Sequence, residues 1–197
     1  MIEKVITQNL RYMDTDINID NISEHNVIIA RNGWGKTTLI KAIRSKLFED
    51  NTRKDIRIKF SDDFIADPKG VYFTINEELD TRAVKDSINS NEPTTYTARF
   101  IEGITKSKLS NGQDQRRTIE MFLNSLIKPG TIWFLDEPEK SLDIVQQHEL
   151  IKKILMSNCQ TFIITHSPLF LQNKNFNKIV LDEDYYTKVQ KILKIKE

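Results

Sequence analysis

The sequence predicts an α/β fold in which helices flank a mostly parallel sheet. Three short runs are almost entirely apolar, as is typical of parallel strands buried on both faces: Val27–Ile29, Thr131–Leu135 and Thr161–Thr165. Amphipathic stretches alternate with these runs, which is the pattern of a sheet covered by helices on both sides. The 197 residues, 39% of them hydrophobic, suffice for one substantial core. We therefore predict a single domain over residues 1–197.

The N-terminal half predicts a β region and a first helix. Ile17–Asp20 alternates apolar and polar residues, which indicates a half-buried strand. Thr37–Phe48 is predicted to be a helix because its apolar residues form one stripe: Leu39, Ile40, Ile43 and Leu47. Val71–Ile75 is β-branched and aromatic and indicates a further strand. The polar stretch after it predicts a reduced, mainly helical insertion at approximately 77–108.

The C-terminal half continues the alternation. Ser110 is a predicted N-cap for a helix that reaches Leu126, and Pro129 with Gly130 then breaks the pattern. Ile144–Met156 predicts a second amphipathic helix. The basic end, 188–197, fits either a solvated last strand or a frayed helix.

Composition narrows the setting. The chain has 29 Lys and Arg residues and 28 Asp and Glu residues, which gives a net charge of +1. This charge does not indicate nucleic-acid binding by the surface as a whole, whereas a local basic patch remains compatible with it. Cys159 is the single cysteine, which excludes an intrachain disulfide and favours a cytoplasmic location. No apolar run approaches the roughly 18 residues that a membrane span needs, so we expect no direct membrane insertion.

A glycine-rich turn, Ala30–Thr38, joins a predicted strand to a predicted helix, which is the context of a phosphate-binding loop. Backbone N–H groups can turn inward at the glycines, and the helix N-terminus favours an anion. Lys36 would reach the β- and γ-phosphates, and the Thr37 hydroxyl would ligate Mg²⁺. Ala30 stands where glycine is usual, and we expect its φ to be negative. The predicted nucleotide contacts are Asn32, Gly33, Trp34, Gly35, Lys36, Thr37 and Thr38.

Two later strands end in polar residues at the edge where parallel sheets bind ligands. Asp136 would hold Mg²⁺ through water, and Glu137 would act as the general base on an attacking water. The alternative is an acidic turn that caps the next helix. His166 would donate a hydrogen bond to the γ-phosphate, although a lone histidine at a strand end is more often structural. His25 and His148 lack such a context and are predicted to be surface residues.

Three further motifs follow in order: Leu109–Gln113, Ser141–Asp143 and Thr165–Ser167. With them, the chain resembles an ATP-binding-cassette (ABC) type ATPase, the family of transporter motors and of chromosome-maintenance and DNA-repair ATPases. The resemblance covers roughly Ile2 to Leu181 and implies a phosphate-loop NTPase core that binds ATP with Mg²⁺. It also implies that two copies close head-to-tail as a homodimer around the nucleotides.

The resemblance implies which residues complete each site from the other copy. Leu109–Gln113 would start a helix that faces the other copy's γ-phosphate, with Asn111 where glycine is usual. The implied contacts across the dimer are Ser110, Gly112, Gln113 and Asp143. Tyr12 is the candidate for stacking on adenine, although a core tyrosine fits equally well. Asn76 is the nearest substitute for the family's metal-contacting glutamine, which leaves the coupling of hydrolysis to motion open.

The process that this ATPase drives is less determined by sequence. The short interval from Lys36 to Ser110, the missing glutamine and the Leu135–Leu142 run favour a soluble, stand-alone ATPase similar to DNA-repair and phage-defence members. Such a protein would act on a soluble partner, for example a nuclease or another effector. The alternatives are the motor subunit of a small transporter with a membrane subunit as partner, and an ATP-gated interaction module with negligible hydrolysis.

Overall fold

The described chain forms two sheets with four helices. The structure is a computed structural model that describes residues 1–10, 16–48, 53–62, 70–74, 132–140 and 142–194. The strands are β1 (Ile2–Thr7), β2 (Asn18–Ile19), β3 (His25–Ile29), β4 (Ile56–Phe60), β5 (Gly70–Thr74), β6 (Ile132–Asp136), β7 (Gln160–Ile164) and β8 (Asn177–Val180). The helices are α1 (Lys36–Phe48), α2 (Ile144–Leu155), α3 (Pro168–Gln172) and α4 (Glu183–Leu193).

The larger sheet has five parallel strands in the order β5-β6-β7-β3-β8. Consecutive residues of a strand point to opposite faces, so each face has its own core. Val27 packs with α2, α3 and α4 on one face, whereas Ile28 packs with α1 and the smaller sheet on the other. The prediction of a mostly parallel sheet flanked by helices is confirmed.

The smaller sheet is the predicted N-terminal β region. Its strands run antiparallel in the order β2-β1-β4. Gln160 at the start of β7 links the two sheets, because its side chain accepts from the Ile2 N–H at 2.7 Å and donates to the Ile2 carbonyl at 2.8 Å. This paired contact satisfies a buried amide and fixes β1 beside the parallel sheet.

Most predicted elements near the site are confirmed, namely the strands β3, β6 and β7 and the helices α1 and α2. The predicted strand Ile17–Asp20 is shorter, since only Asn18–Ile19 pairs. Within the described part of the basic end, residues 188–193 are helical and not a strand, because Asp182 caps a helix that extends to Leu193. The insertion at 77–108 and the helix from Ser110 lie outside the described residues.

His25 is buried, so its prediction as a surface residue is wrong. It lies in β3 opposite Thr161, with its Nδ1 atom 3.1 Å from the Thr161 hydroxyl, and its ring packs edge-to-face on Phe176. Burial lowers the pKa of His25, which favours the neutral ring. His148 is exposed on α2, as predicted.

Candidate nucleotide-binding site

The turn between β3 and α1 requires glycine at two places. Gly33 has φ +78° and Gly35 has φ +96°, a region that other residues enter only with strain. A Cβ at Gly33 would meet no atom within 4 Å, so the requirement there comes from the backbone and not from space. Ala30 is outside the positive-φ region, as expected for an alanine that replaces the usual glycine.

Lys36, the first residue of α1, turns its ammonium group back into this loop. Its Nζ atom donates to the carbonyls of Ala30 at 2.7 Å and Arg31 at 2.9 Å, and lies 3.4 Å from Nε2 of His166. The side chain is only 7% exposed. Burial lowers the pKa of Lys36, while Asp136 and Glu137 oppose that shift. A buried cation at a helix N-terminus is well placed to meet an anion.

Asp136 and Thr37 meet where the end of β6 faces the start of α1. The Thr37 hydroxyl donates to Oδ2 of Asp136 at 2.9 Å. Burial raises the pKa of Asp136, and the hydrogen bond from Thr37 lowers it. A carboxylate and a hydroxyl oxygen are hard donors of the kind that Mg²⁺ prefers, so these residues fit the ion that the family resemblance implies.

A metal site made by protein side chains alone is absent from the described part of the chain, where no three His, Cys, Asp or Glu residues cluster. Mg²⁺ bound with a nucleotide typically takes one or two carboxylates and completes its shell with phosphate oxygens and water. A single carboxylate beside a phosphate-binding loop is therefore in keeping with that second kind of site.

Glu137 follows β6 in a left-handed conformation, with φ +48°. This is uncommon for a residue other than glycine and typical of positions that direct a functional side chain. The backbone is held there because the Glu137 N–H donates to the Ile164 carbonyl at 2.8 Å. The carboxylate lies 3.8 Å from Nζ of Lys140, and the residue lines the same cavity as Lys36.

His166 follows the end of β7, and each of its two ring nitrogens contacts a different side chain. Nε2 points to Lys36, and Nδ1 lies 3.2 Å from the hydroxyl of Tyr185. Burial and then Lys36 lower the pKa of His166, whereas Glu137 raises it. The ring is consequently neutral at pH 7, with one nitrogen donating and the other accepting.

These residues belong to the lining of one cavity of about 280 Å³. It is lined by Asn32, Gly33, Trp34, Gly35, Lys36, Thr37, Thr38, Asp136, Glu137, Ile164 and His166. All of them except Ile164 were named from the sequence. Trp34 is half-buried and also packs against the core on the α1 side.

Asp143 does not line this cavity. It is the exposed N-cap of α2 and forms a capping box with Gln146, whose N–H donates to the Asp143 carboxylate at 2.9 Å. The remaining predicted site residues lie outside the described residues: Tyr12, Asn76, Ser110, Gly112 and Gln113.

Two polar residues outside the predicted site residues support the site. Glu139 accepts from the Thr165 hydroxyl at 2.5 Å and from the His166 N–H at 3.3 Å, and so joins the loops after β6 and β7. Gln147 of α2 donates to the Leu142 carbonyl at 2.9 Å and accepts from the Ser167 hydroxyl at 2.7 Å. The acidic turn at 136–139 is a sequence feature that could have indicated Glu139 as a site residue. Gln147 has no such feature, because a glutamine at this position is typical of any exposed helix face.

Glu139 gives a stability prediction with a defined pH dependence. Burial raises the pKa of Glu139, and the hydrogen bond from Thr165 opposes the rise. Because the folded chain then holds the proton more tightly than the unfolded chain, stability falls as pH rises from the ordinary glutamate value through the raised one. Glu139→Gln removes that loss and keeps an oxygen that can accept from Thr165.

We expect Glu139→Gln to melt about 2–4 °C higher than wild type at neutral pH, the shift that about 1 kcal/mol produces in a chain of this size. The gain should shrink towards about pH 4.5, where the wild-type carboxyl is itself protonated. Thermal melts across this range check it. A lower melting temperature at neutral pH would mean that the Glu139 charge stabilises the two loops.

This chain resembles known proteins in part of its sequence and in its fold. No protein-family model matches the chain. The sequence is 29% identical over 92 residues to the pediocin PA-1 transport/processing ATP-binding protein PedD of Pediococcus acidilactici. The match covers 47% of this chain and 12% of that protein. The fold is similar to that of a solved bacterial Atm1-family ABC exporter with ATP bound, with a TM-score of 0.52 and a sequence identity of 16%. The structural match covers 97% of this chain and 40% of that chain.

This chain therefore spans less than half the length of either protein. The sequence likeness is to an ATP-binding protein over part of this chain, and the structural likeness is one of fold. Within the described parts of the chain, every helix is too short or too polar to cross a membrane.

Proposed function

We propose that this chain is an ABC-type ATPase that binds and hydrolyses Mg-ATP. The observation that carries the proposal is the convergence on one cavity of Lys36 at the start of α1, Asp136 at the end of β6 and His166 just after β7. Ligands bind at the carboxyl ends of parallel strands in open α/β sheets, and here those ends present a cation, a carboxylate and an imidazole.

The geometry supports a distinct role for each side chain. Lys36 holds the β- and γ-phosphates, and His166 donates a hydrogen bond to the γ-phosphate. Thr37 and Asp136 hold Mg²⁺, which when bound neutralises charge on the phosphates. Glu137 accepts a proton from the attacking water, since this acidic residue lines the cavity and its backbone is fixed by the bond to Ile164.

Two copies of the chain close head-to-tail over the nucleotides in this proposal. Support comes from the first turn of α2, where Ile144 is 70% exposed and Val145 is 64% exposed beside Asp143. Exposed apolar side chains at a helix start favour burial against a partner. Gln147 links this turn to the loop of His166 and so gives the dimer contact a route to the phosphate site.

The residues that lie outside the described part of the chain keep their proposed roles. Ser110, Gly112 and Gln113 of one copy contact the γ-phosphate held by the other. Tyr12 stacks on adenine, and Asn76 takes the place of the metal-contacting glutamine. Ser110→Arg would then block closure while each single copy keeps its nucleotide affinity.

The lead proposal for biological role is a cytoplasmic, stand-alone ATPase of one domain that drives a soluble effector, supported by the short interval from Lys36 to Ser110. A second candidate is the motor of a transporter with a membrane subunit. One observation favours it, since both proteins compared above have transport or export in their descriptions. Co-purification with a soluble effector or with a membrane subunit separates the two.

The test of the proposed function is the mass of the Glu137→Gln protein, measured by light scattering with and without Mg-ATP. Loss of the general base should leave ATP binding intact and trap the closed pair, so we expect a shift from monomer to dimer on adding Mg-ATP. Glu3→Gln, an exposed carboxylate change on β1, is the matched control and should hydrolyse ATP and not accumulate as a dimer.

Val145→Glu in the Glu137→Gln background should stay monomeric with Mg-ATP, because it places a charge in the proposed dimer contact. A Glu137→Gln protein that stays monomeric at saturating Mg-ATP would overturn the head-to-tail mechanism. Wild-type protein that binds ATP but releases no phosphate would instead leave an ATP-gated interaction module.

A further inference from the structure

The first turn of α4 lies against both the phosphate-binding loop and His166. Asp182, the N-cap of α4, is 8% exposed and accepts from the Tyr185 N–H at 3.1 Å. Its other carboxylate oxygen lies 3.4 Å from Nε of Arg31, a residue of the phosphate-binding loop. The Leu181 N–H donates to the Ile29 carbonyl at 2.9 Å, which fixes this turn to the end of β3.

Tyr185 extends from this turn to His166. Its hydroxyl lies 3.2 Å from Nδ1 of His166, and the two rings meet edge-to-face with centroids 6.3 Å apart at 84°. The tyrosine also packs against the core beneath α2, α3 and α4. The hydroxyl is thus held by a packed helix and not by a loop, as expected of a group that orients another.

The two contacts of His166 constrain its proton. The Lys36 ammonium has only donors, so its 3.4 Å contact with Nε2 favours an accepting Nε2 and a proton on Nδ1. Nδ1–H then donates to the Tyr185 oxygen. A γ-phosphate needs the opposite arrangement, with the proton on Nε2 and Nδ1 accepting.

A tyrosine hydroxyl can accept in the first arrangement and donate in the second. A carboxylate or a carbonyl could only accept, and phenylalanine could do neither. The groups facing the ring leave it neutral, because burial and Lys36 lower the pKa of His166 and Glu137 raises it only in part.

We propose that Tyr185 is a positioning residue whose hydroxyl lets His166 exchange its Nδ1 proton for an Nε2 proton when a phosphate engages Lys36. This inference rests on the proposed function and extends it to a helix outside every motif named above. The exchange is a change of tautomer through solvent, so the ring stays neutral and no bond of the nucleotide takes part.

The test uses Tyr185→Phe, which keeps the ring packing and removes only the hydroxyl. Tyr186→Phe, a change of the next residue on the same helix, is the matched control. We expect kcat to fall about tenfold in Tyr185→Phe with the KM for ATP within about twofold, since one hydrogen bond is lost and the phosphate-binding loop is unchanged. The control should keep both values within about twofold.

Ring ¹⁵N shifts of His166 give the second readout, with the signals assigned by comparison with His166→Gln. Without nucleotide we expect the Nδ1–H form in wild type and a changed tautomer population in Tyr185→Phe. With Mg-ATP in the Glu137→Gln background we expect the Nε2–H form, and the additional Tyr185→Phe change should reduce it.

Identical His166 tautomer populations in wild type and Tyr185→Phe, measured without nucleotide, would overturn the inference whatever the turnover. Wild-type kcat in Tyr185→Phe would overturn it as well. A protein that fails to bind or hydrolyse ATP while the nucleotide-free populations differ as expected would overturn the proposed function instead, and would leave Tyr185 as the residue that positions His166.

Discussion

The Lys36→Ala protein is expected to bind Mg-ATP about 100-fold more weakly than wild type. Its ammonium group is buried in the phosphate-binding loop, where it can make charge-assisted hydrogen bonds to two phosphates. Such bonds contribute about 1.5–3 kcal/mol each, and every 1.4 kcal/mol is about tenfold in affinity. Titration calorimetry, or fluorescence of a labelled ATP analogue, measures the change.

The control for this prediction is Lys41→Ala on the exposed side of the same helix, which should keep the affinity within about twofold. Lys36→Ala also removes the donor to the carbonyls of Ala30 and Arg31, so circular dichroism must first show a folded protein. A folded Lys36→Ala protein with unchanged affinity would remove the assignment of the phosphate-binding loop.

Replacing Asp136 with asparagine is expected to lower ATP turnover by about 10²–10³-fold while ATP binding persists. Removing one electrostatic group that acts on the transferring phosphate has an effect of this order. The asparagine amide oxygen would still accept from Thr37, but the side chain lacks the negative charge that holds Mg²⁺. Phosphate release at saturating ATP, measured over a range of Mg²⁺ concentrations, checks the prediction.

A melting temperature shows whether the loss of turnover in Asp136→Asn comes from lost function or from unfolding. Because burial raises the pKa of Asp136, removing its charge should not lower the stability of the protein alone, and its melting temperature should match or exceed that of wild type. Asp20→Asn, an exposed change after β2, should alter neither property. Wild-type turnover in Asp136→Asn would exclude Asp136 from the reaction.

Much of the fold could be predicted from short-range pattern. The buried strands β6 and β7 are runs of apolar residues, and α1 follows a glycine turn with an apolar stripe at helical spacing. These signals are local, because burial on both faces and the period of a helix act on neighbouring residues. The small strands β4 and β8 were missed, since short strands with mixed polarity carry little pattern.

The candidate site likewise contains residues that the sequence predicts and one that it does not. Lys36 is predictable because it begins the helix after the glycine-rich turn that follows β3, and Asp136 and His166 are predictable because they lie at or just after the ends of β6 and β7. The carboxyl ends of parallel strands meet at one edge of the sheet. Tyr185 is not predictable, since it is 19 residues from His166 and belongs to a helix with no motif. Its contact depends on how α4 packs against the sheet.

By itself, the sequence determined the type of sheet, the phosphate-binding turn and the identity of the polar residues at the strand ends, because these follow from local conformational preference and burial pattern. The tertiary structure alone decided which distant side chains meet. It buried His25 opposite Thr161 through strand register, joined Glu139 to the loop of His166, and set Tyr185 against the imidazole. Such contacts arise from packing between elements far apart in the chain, which no local pattern encodes.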